Sequence, residues 1–96
     1  MGLFFKGREI LQETVIKHLF DGEFPYDTSM FEIENLEGRV WVWTNLRTGK
    51  VIITGDEGNS WQVELAIGIN RQDALKKYLR RKERWTGLQK ECTEYG

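Results

Sequence analysis

The residues of this chain that could do acid–base or nucleophilic chemistry are few, and they form no catalytic arrangement. His18 is the only histidine and Cys92 the only cysteine. A lone histidine on the apolar side of a helix is more typical of a packed or hydrogen-bonded residue than of a catalyst, and no serine, cysteine or second base is positioned to pair with it. The neighbouring charges of Glu91 and Glu94 disfavour the thiolate of Cys92. We therefore expect a protein that is not an enzyme.

Two groups of carboxylates have the chemistry of cation ligands but not the spacing. Residues 56–59 (Asp-Glu-Gly-Asn) offer oxygen atoms in a loop, yet the twelve-residue spacing and final glutamate of a calcium hand are missing. Glu32 and Glu34 alternate along a strand, which puts both on one face and is typical of a solubilising sheet edge. A single thiol is too few for a thiolate metal site. We expect no metal and no cofactor.

Positive charge is concentrated at the end of the chain. Residues 71–96 carry eight Lys/Arg against four Asp/Glu, whereas residues 1–70 carry six against eleven. Four of these cations share one side of a predicted helix: Lys76, Lys77, Arg80 and Arg84. That face would suit nucleic-acid phosphates or an acidic partner. The alternative is a solvated face on a helix docked by Leu75 and Leu79, and the sequence pI of about 5.8 argues against a dedicated nucleic-acid binder.

A run of apolar residues in the middle of the chain predicts the sheet that must position these groups. Residues 39–44 read Arg-Val-Trp-Val-Trp-Thr, with apolar side chains on both faces of a strand, so the strand needs a cover on both faces or a partner. Residues 35–38 and 46–49 each resemble a type I turn closed by a left-handed glycine, the three-residue hairpin with a bulge. The sequence therefore predicts two linked hairpins, followed by a fourth strand at residues 61–65.

Turn length sets which residues face each other. With three-residue turns, Ile33 faces Trp41, and Trp43 faces both Phe31 and Ile53. The tryptophan-bearing face then collects Phe31, Ile33, Trp41, Trp43, Val51, Ile53 and Trp61. Aromatic rings on a sheet can stack on bases or sugars, but so many apolar residues on one face favour a buried core. A four-residue second turn would slip the register by one and exchange Val51 and Ile53 for Ile52.

The helices complete the predicted fold. Apolar residues at three- and four-residue spacing predict a helix over residues 8–20, and Asn70 caps a second helix that reaches Trp85. Residues 86–96 lose that periodicity, which predicts a flexible tail after a single domain over residues 1–85. The predicted fold is α+β: a helix, a four-stranded antiparallel meander and a helix, with both helices on the tryptophan-bearing face.

This arrangement leaves apolar residues on the other face of the sheet. Val40, Val42 and Ile52 lie mid-sheet there, and Glu32 and Glu34 form an acidic rim. An apolar centre with a polar rim is typical of a protein-contact surface, although β-branched residues also tolerate partial exposure in a central strand. We expect a small non-enzymatic interaction or regulatory module that contacts itself or a protein partner through this face.

Composition bounds the location and class of the protein. The chain has 96 residues, 40% of them hydrophobic and 30% charged, with a net charge of -1. It has no apolar run of membrane-spanning length, and its apolar start is too short for a signal peptide. One cysteine excludes an internal disulfide framework. We expect a cytoplasmic protein that does not bind a membrane.

Overall fold

The computed structural model describes residues 5, 7–22 and 27–95, with side chains described as far as Glu83. Within these residues, the elements in chain order are β1 (Glu9–Leu11), α1 (Gln12–Leu19), a 3-10 turn (Thr28–Met30), β2 (Phe31–Glu37), β3 (Val40–Asn45), β4 (Val51–Gly58), β5 (Trp61–Gly68) and α2 (Arg71–Tyr95). The five strands form one antiparallel sheet of order β1-β5-β4-β3-β2, and the two helices pack on it. The α+β class is confirmed. Across the described ranges, neither helix is apolar enough over its length to cross a bilayer.

The sheet has one strand more than predicted. β1 occupies Glu9–Leu11, inside the segment that the periodicity assigned to the first helix, and it pairs antiparallel with β5. α1 begins only at Gln12, whose backbone N–H donates to the carbonyl oxygen of Ser60. Apolar residues at helical spacing do not reveal a strand of three residues, because such a short strand has too few positions to show a period of two.

The second helix extends further than predicted. α2 runs to Tyr95 and so passes Trp85, where the apolar spacing ends. That residues 86–96 form a flexible tail stays a prediction, since their side chains lie outside the described residues.

The second hairpin has the slipped register. Trp43 faces Ile52, and the prediction that it faces Ile53 was wrong by one residue. The cause is Asn45, whose side-chain oxygen accepts hydrogen bonds from the backbone N–H groups of Arg47 and Thr48. Its backbone N–H donates to the carbonyl oxygen of Lys50, which closes a loop of four residues. Ile52 therefore joins the tryptophan-bearing face, and its two neighbours on β4 change to the other.

The first hairpin slips by two residues, which leaves each side chain on its predicted face. Ile33 faces Trp43, where Trp41 was predicted, and a bulge follows Asn35. The turn holds only Gly38 and Arg39, and the side-chain amide of Asn35 donates to the carbonyl oxygens of Gly38 and Val40.

Both faces of the sheet are covered, each by one helix. The prediction that both helices share a face was wrong, because the slipped register places Val51 and Ile53 on the face of Val40 and Val42, and this second apolar face needs a cover of its own. The α1 side buries Val15, Leu19, Phe20, Trp43 and Ile52. The α2 side buries Val40, Val42, Val51, Ile53, Val63, Leu65, Ala66, Ala74 and Tyr78. The apolar inner strand β3 thus has the two covers that its sequence requires.

Candidate protein-interaction edge

The apolar residues predicted to contact a partner lie inside the protein. Val40 is 5% exposed, and Val42 and Ile52 are fully buried. α2 covers the two valines and α1 covers Ile52, because the helices lie on opposite faces. The expectation of an exposed apolar sheet face was therefore wrong. The acidic residues predicted around it, Glu32 and Glu34, are exposed on β2.

β2 is the outer strand at one side of the sheet. Its inner side pairs with β3, and among the described residues no strand pairs with its outer side. It is seven residues long, and its residues from Glu32 to Asn35 are all exposed. A sheet edge of this kind presents backbone N–H and C=O groups that another strand can bind.

At the opposite side of the sheet, β1 and two side chains of α2 occupy the outer backbone groups of β5. β1 pairs with the first three residues of β5. Further along β5, the amino group of Lys77 donates to the carbonyl oxygen of Ile67 at 3.1 Å. The guanidinium of Arg81 lies 3.4 Å from the carbonyl oxygen of Leu65. Cations that reach over an edge strand are one way in which proteins prevent another strand from pairing there.

The side chains of β2 divide by face into an acidic and an apolar set. Glu32 and Glu34 face Thr44 and Val42 across the ladder and so lie on the α2 side. Phe31 and Ile33 lie on the α1 side. The ring of Phe31 packs edge-on against Phe20 with centroids 6.0 Å apart, whereas Ile33 remains 47% exposed. A strand added beside β2 would meet carboxylates on one face and apolar side chains on the other.

The carboxylates of β2 differ in how they are paired. Glu34 forms an ion pair with Arg71 at the start of α2. Glu37 accepts hydrogen bonds from the amino group of Lys82 and the hydroxyl of Tyr78, and these bonds lower the pKa of Glu37. Glu32 makes no hydrogen bond or ion pair with the described residues. No described cation therefore offsets the carboxylate of Glu32 at this edge of the sheet.

A cleft of about 340 Å³ lies beside these carboxylates on the α2 side of the sheet. Its wall includes Glu32 and Glu34 from β2, Thr44 from β3, and Asn70 and Arg71 at the start of α2. The position of the cleft means that a long side chain from an added strand would enter it next to Glu32. The only sequence signal for this cleft is the alternation of Glu32 and Glu34 on β2. The sequence does not predict that β2 is an edge strand, because that depends on the strand order of the whole sheet.

The predicted basic face of α2 is divided by the structure. Lys77 pairs with Asp73 at 3.1 Å and also binds the edge of β5. Lys76 and Arg80 are exposed and make no hydrogen bond or ion pair with the described residues, while the side chain of Arg84 lies outside them. Leu79, predicted on the docked side, is 52% exposed. Contact of this face with nucleic acid stays a prediction.

The remaining residues with chemical potential are dispersed. His18 is partly exposed, and its Nδ1 lies 3.0 Å from Oε2 of Glu64. Asp56 lies on β4, not in the expected loop, and its side chain accepts the backbone N–H of Gly58. Trp43 is buried, but Trp61 is 40% exposed. Within the part of the chain that the structure describes, no three His, Cys, Asp or Glu side chains come together as metal ligands would.

No protein-family model, curated protein or solved structure gives a significant match to this chain.

Proposed function

We propose that this protein is a small non-enzymatic interaction module that binds an extended, basic segment of another protein as an added strand along β2. The observation that carries the proposal is the edge of β2, seven residues long, which among the described residues has no strand on its outer side and no partner for the carboxylate of Glu32. In strand addition, main-chain hydrogen bonds supply affinity, and contacts to alternate side chains supply specificity.

The two faces of β2 determine the chemistry of the partner. An added strand places every second side chain on the α2 face, beside Glu32 and the cleft next to it. Lysine or arginine there would form a cross-strand ion pair with the carboxylate, which is worth about 0.2–1 kcal/mol. The intervening side chains lie on the α1 face next to Ile33 and would be apolar. The segment that fits β2 therefore alternates basic and apolar residues.

The same charges argue against pairing of β2 with a second copy of itself. Two-fold antiparallel pairing centred on Ile33 sets Glu32 opposite Glu34 of the other copy. Centring on Glu32 or on Glu34 sets that residue opposite its own counterpart. Like charges directly opposite each other destabilise a strand pair, so the acidic edge favours a different, basic partner.

The direct test is a titration of ¹⁵N-labelled protein with a peptide of about eight residues that alternates valine and lysine. We expect saturable shifts of the backbone amides of Phe31–Glu37. Glu32→Lys should weaken binding about three- to fivefold without loss of fold, since Glu32 contacts no described partner.

Two matched controls accompany this titration. Glu13→Lys makes the same charge change on α1, on the other face of the sheet, and should leave binding of the valine–lysine peptide unchanged. A peptide with glutamate in place of lysine should not bind. Equal binding of both peptides, or shifts confined to α2, would refute the proposal.

A further inference from the structure

A second cleft, about 250 Å³ in volume, lies between α1 and the sheet. It is lined by Arg8, Ile10, Thr14, His18 and Glu64. These residues belong to the β1–β5 side of the sheet, and β2 is the outermost strand on the other side. The cleft is therefore separate from the proposed strand-binding edge, and binding of a ligand in it does not depend on strand addition at β2.

Three elements bring these residues together. Arg8 directly precedes β1, and Ile10 pairs with Gln62 of β5. Glu64 lies two residues further along β5, on the same face of the strand. Thr14 and His18 are four residues apart on α1, so their side chains lie one above the other on one side of the helix.

The histidine is oriented by the carboxylate. His18 Nδ1 lies 3.0 Å from Glu64 Oε2, and because an ionised carboxylate only accepts hydrogen bonds, the ring nitrogen donates. Nε2 is then the ring nitrogen that remains for a ligand. When the ring is protonated, both nitrogens donate, and the charge of Glu64 is already engaged by the ring.

The other polar groups of the cleft have no hydrogen-bond partner in the part of the chain that the structure describes. The guanidinium of Arg8 is exposed and makes no hydrogen bond or ion pair with the described residues, and the hydroxyl of Thr14 makes no hydrogen bond with them. A guanidinium carries five N–H donors in a planar fork that matches a phosphate or carboxylate group. The site therefore offers donors from Arg8 and Thr14, joined by Nε2–H of His18 when the ring is protonated, and the carboxylate of Glu64 is engaged by the ring.

We infer that this cleft binds a small oxyanion, a phosphate or carboxylate group, between the guanidinium of Arg8 and the imidazole of His18. The hydroxyl of Thr14 donates a further hydrogen bond, and Ile10 contacts the apolar part of the ligand. The volume lies below the roughly 300–1,000 Å³ of sites for drug-sized molecules, so the ligand has only a few carbon atoms.

Titration of the full chain with sulfate and, separately, with acetate tests the inference, with the ring signals of His18 followed by NMR. Sulfate represents the phosphate class and acetate the carboxylate class. Saturation by either anion supports the site and identifies the class. Arg8→Gln should weaken binding about tenfold or more. Arg47→Gln removes the same charge from the exposed turn between β3 and β4 and should have no effect.

The pH dependence adds a readout that surface attraction alone would not give. The charged groups near His18 among the described residues include Glu64 on β5, Arg8 before β1, and Lys50, whose amino group binds the carbonyl oxygen of His18. Histidine side chains in general gain a proton between about pH 8 and about pH 5.5, where sulfate keeps its charge. Sulfate should bind more tightly at the lower pH, and His18→Gln should remove that difference. Failure of both anions to saturate, or equal losses in Arg8→Gln and Arg47→Gln, would overturn the inference.

Discussion

Buried polar side chains on the α1 face of the sheet are hydrogen-bonded to one another in a chain. The indole N–H of Trp43 donates to the hydroxyl oxygen of Thr54, and that hydroxyl donates to the side-chain oxygen of Gln62, both at 2.8 Å. Thr54 is completely buried and Gln62 nearly so. Because a buried donor without an acceptor is costly, Thr54 is the residue on which the other two depend.

Thr54→Val should therefore destabilise the protein by about 1–3 kcal/mol, since it leaves the indole N–H and the amide oxygen without a partner. Urea unfolding followed by tryptophan fluorescence measures the change. Thr44→Val is the matched control: Thr44 is half-buried and makes no side-chain hydrogen bond with the described residues, so its effect should stay within about 0.5 kcal/mol. Equal effects of the two changes would show that the hydrogen-bond chain does not stabilise the fold.

The hydrogen bonds of Glu37 predict a dependence of stability on pH. Lys82 and then Tyr78 lower the pKa of Glu37 from its ordinary value of 4.5. A carboxyl group with a lower pKa in the folded state stabilises the fold above its unfolded pKa, and this stabilisation is lost as the pH falls. Unfolding free energies measured from about pH 6 to about pH 3 should decline in the wild type. The decline should be smaller in Glu37→Gln, and an identical decline in both proteins would contradict this account.

At the scale of the elements, the hairpin registers were the least predictable feature. The sequence predicts both hairpins, four of the five strands and the faces of β2 and β3. It does not show that Asn45 binds the backbone of the following turn and lengthens the loop by one residue. A slip of one residue moves every side chain of β4 to the opposite face. Because the prediction missed the hydrogen bonds of Asn45, it placed Val51 and Ile53 on the tryptophan-bearing face and put both helices there to cover them.

The second helix approaches the sheet at a glycine. A Cβ atom on Gly68 would lie 2.3 Å from the backbone nitrogen of Ala74, so the first turn of α2 packs directly against β5. Glycine at this position is required by close approach and not by a left-handed backbone.

Gly68→Ala should push α2 away from the sheet and destabilise the protein by about 1–3 kcal/mol. The amide signals of Ala74 and Tyr78, which face the same core, should shift most. Ile69→Ala, at the next residue, removes a side chain that is 78% exposed and should change stability by less than about 0.5 kcal/mol. A neutral effect of Gly68→Ala would mean that α2 does not pack as closely as described.

At the scale of the whole molecule, the burial of two valines determines which surface is open to a partner. The sequence predicts that Val40 and Val42 form a contact surface, because one face of the sheet was expected to lack a helix. In the structure they lie beneath α2 and stabilise the fold. The acidic residues beside them, Glu32 and Glu34, remain at the surface, and for this reason our proposal places the partner at the edge of β2.

The variant Val42→Glu distinguishes a Val42 buried in the core from a Val42 at a contact surface. A charge buried at a position with no solvent exposure should destabilise the protein by more than about 4 kcal/mol and unfold much of it. Circular dichroism would show the loss of structure. If Val42 were instead at an interface between copies, the variant would stay folded, and sedimentation would show only a change of oligomeric state.

Amide hydrogen exchange, measured with and without the valine–lysine peptide, tests whether the peptide adds as a strand along β2. Strand addition pairs the outward N–H groups of β2 and should slow exchange at alternate residues of Phe31–Glu37, while β1 and α2 keep their rates. Protection that appears on α2 or on β1, or no change along β2 at peptide saturation, would contradict the account.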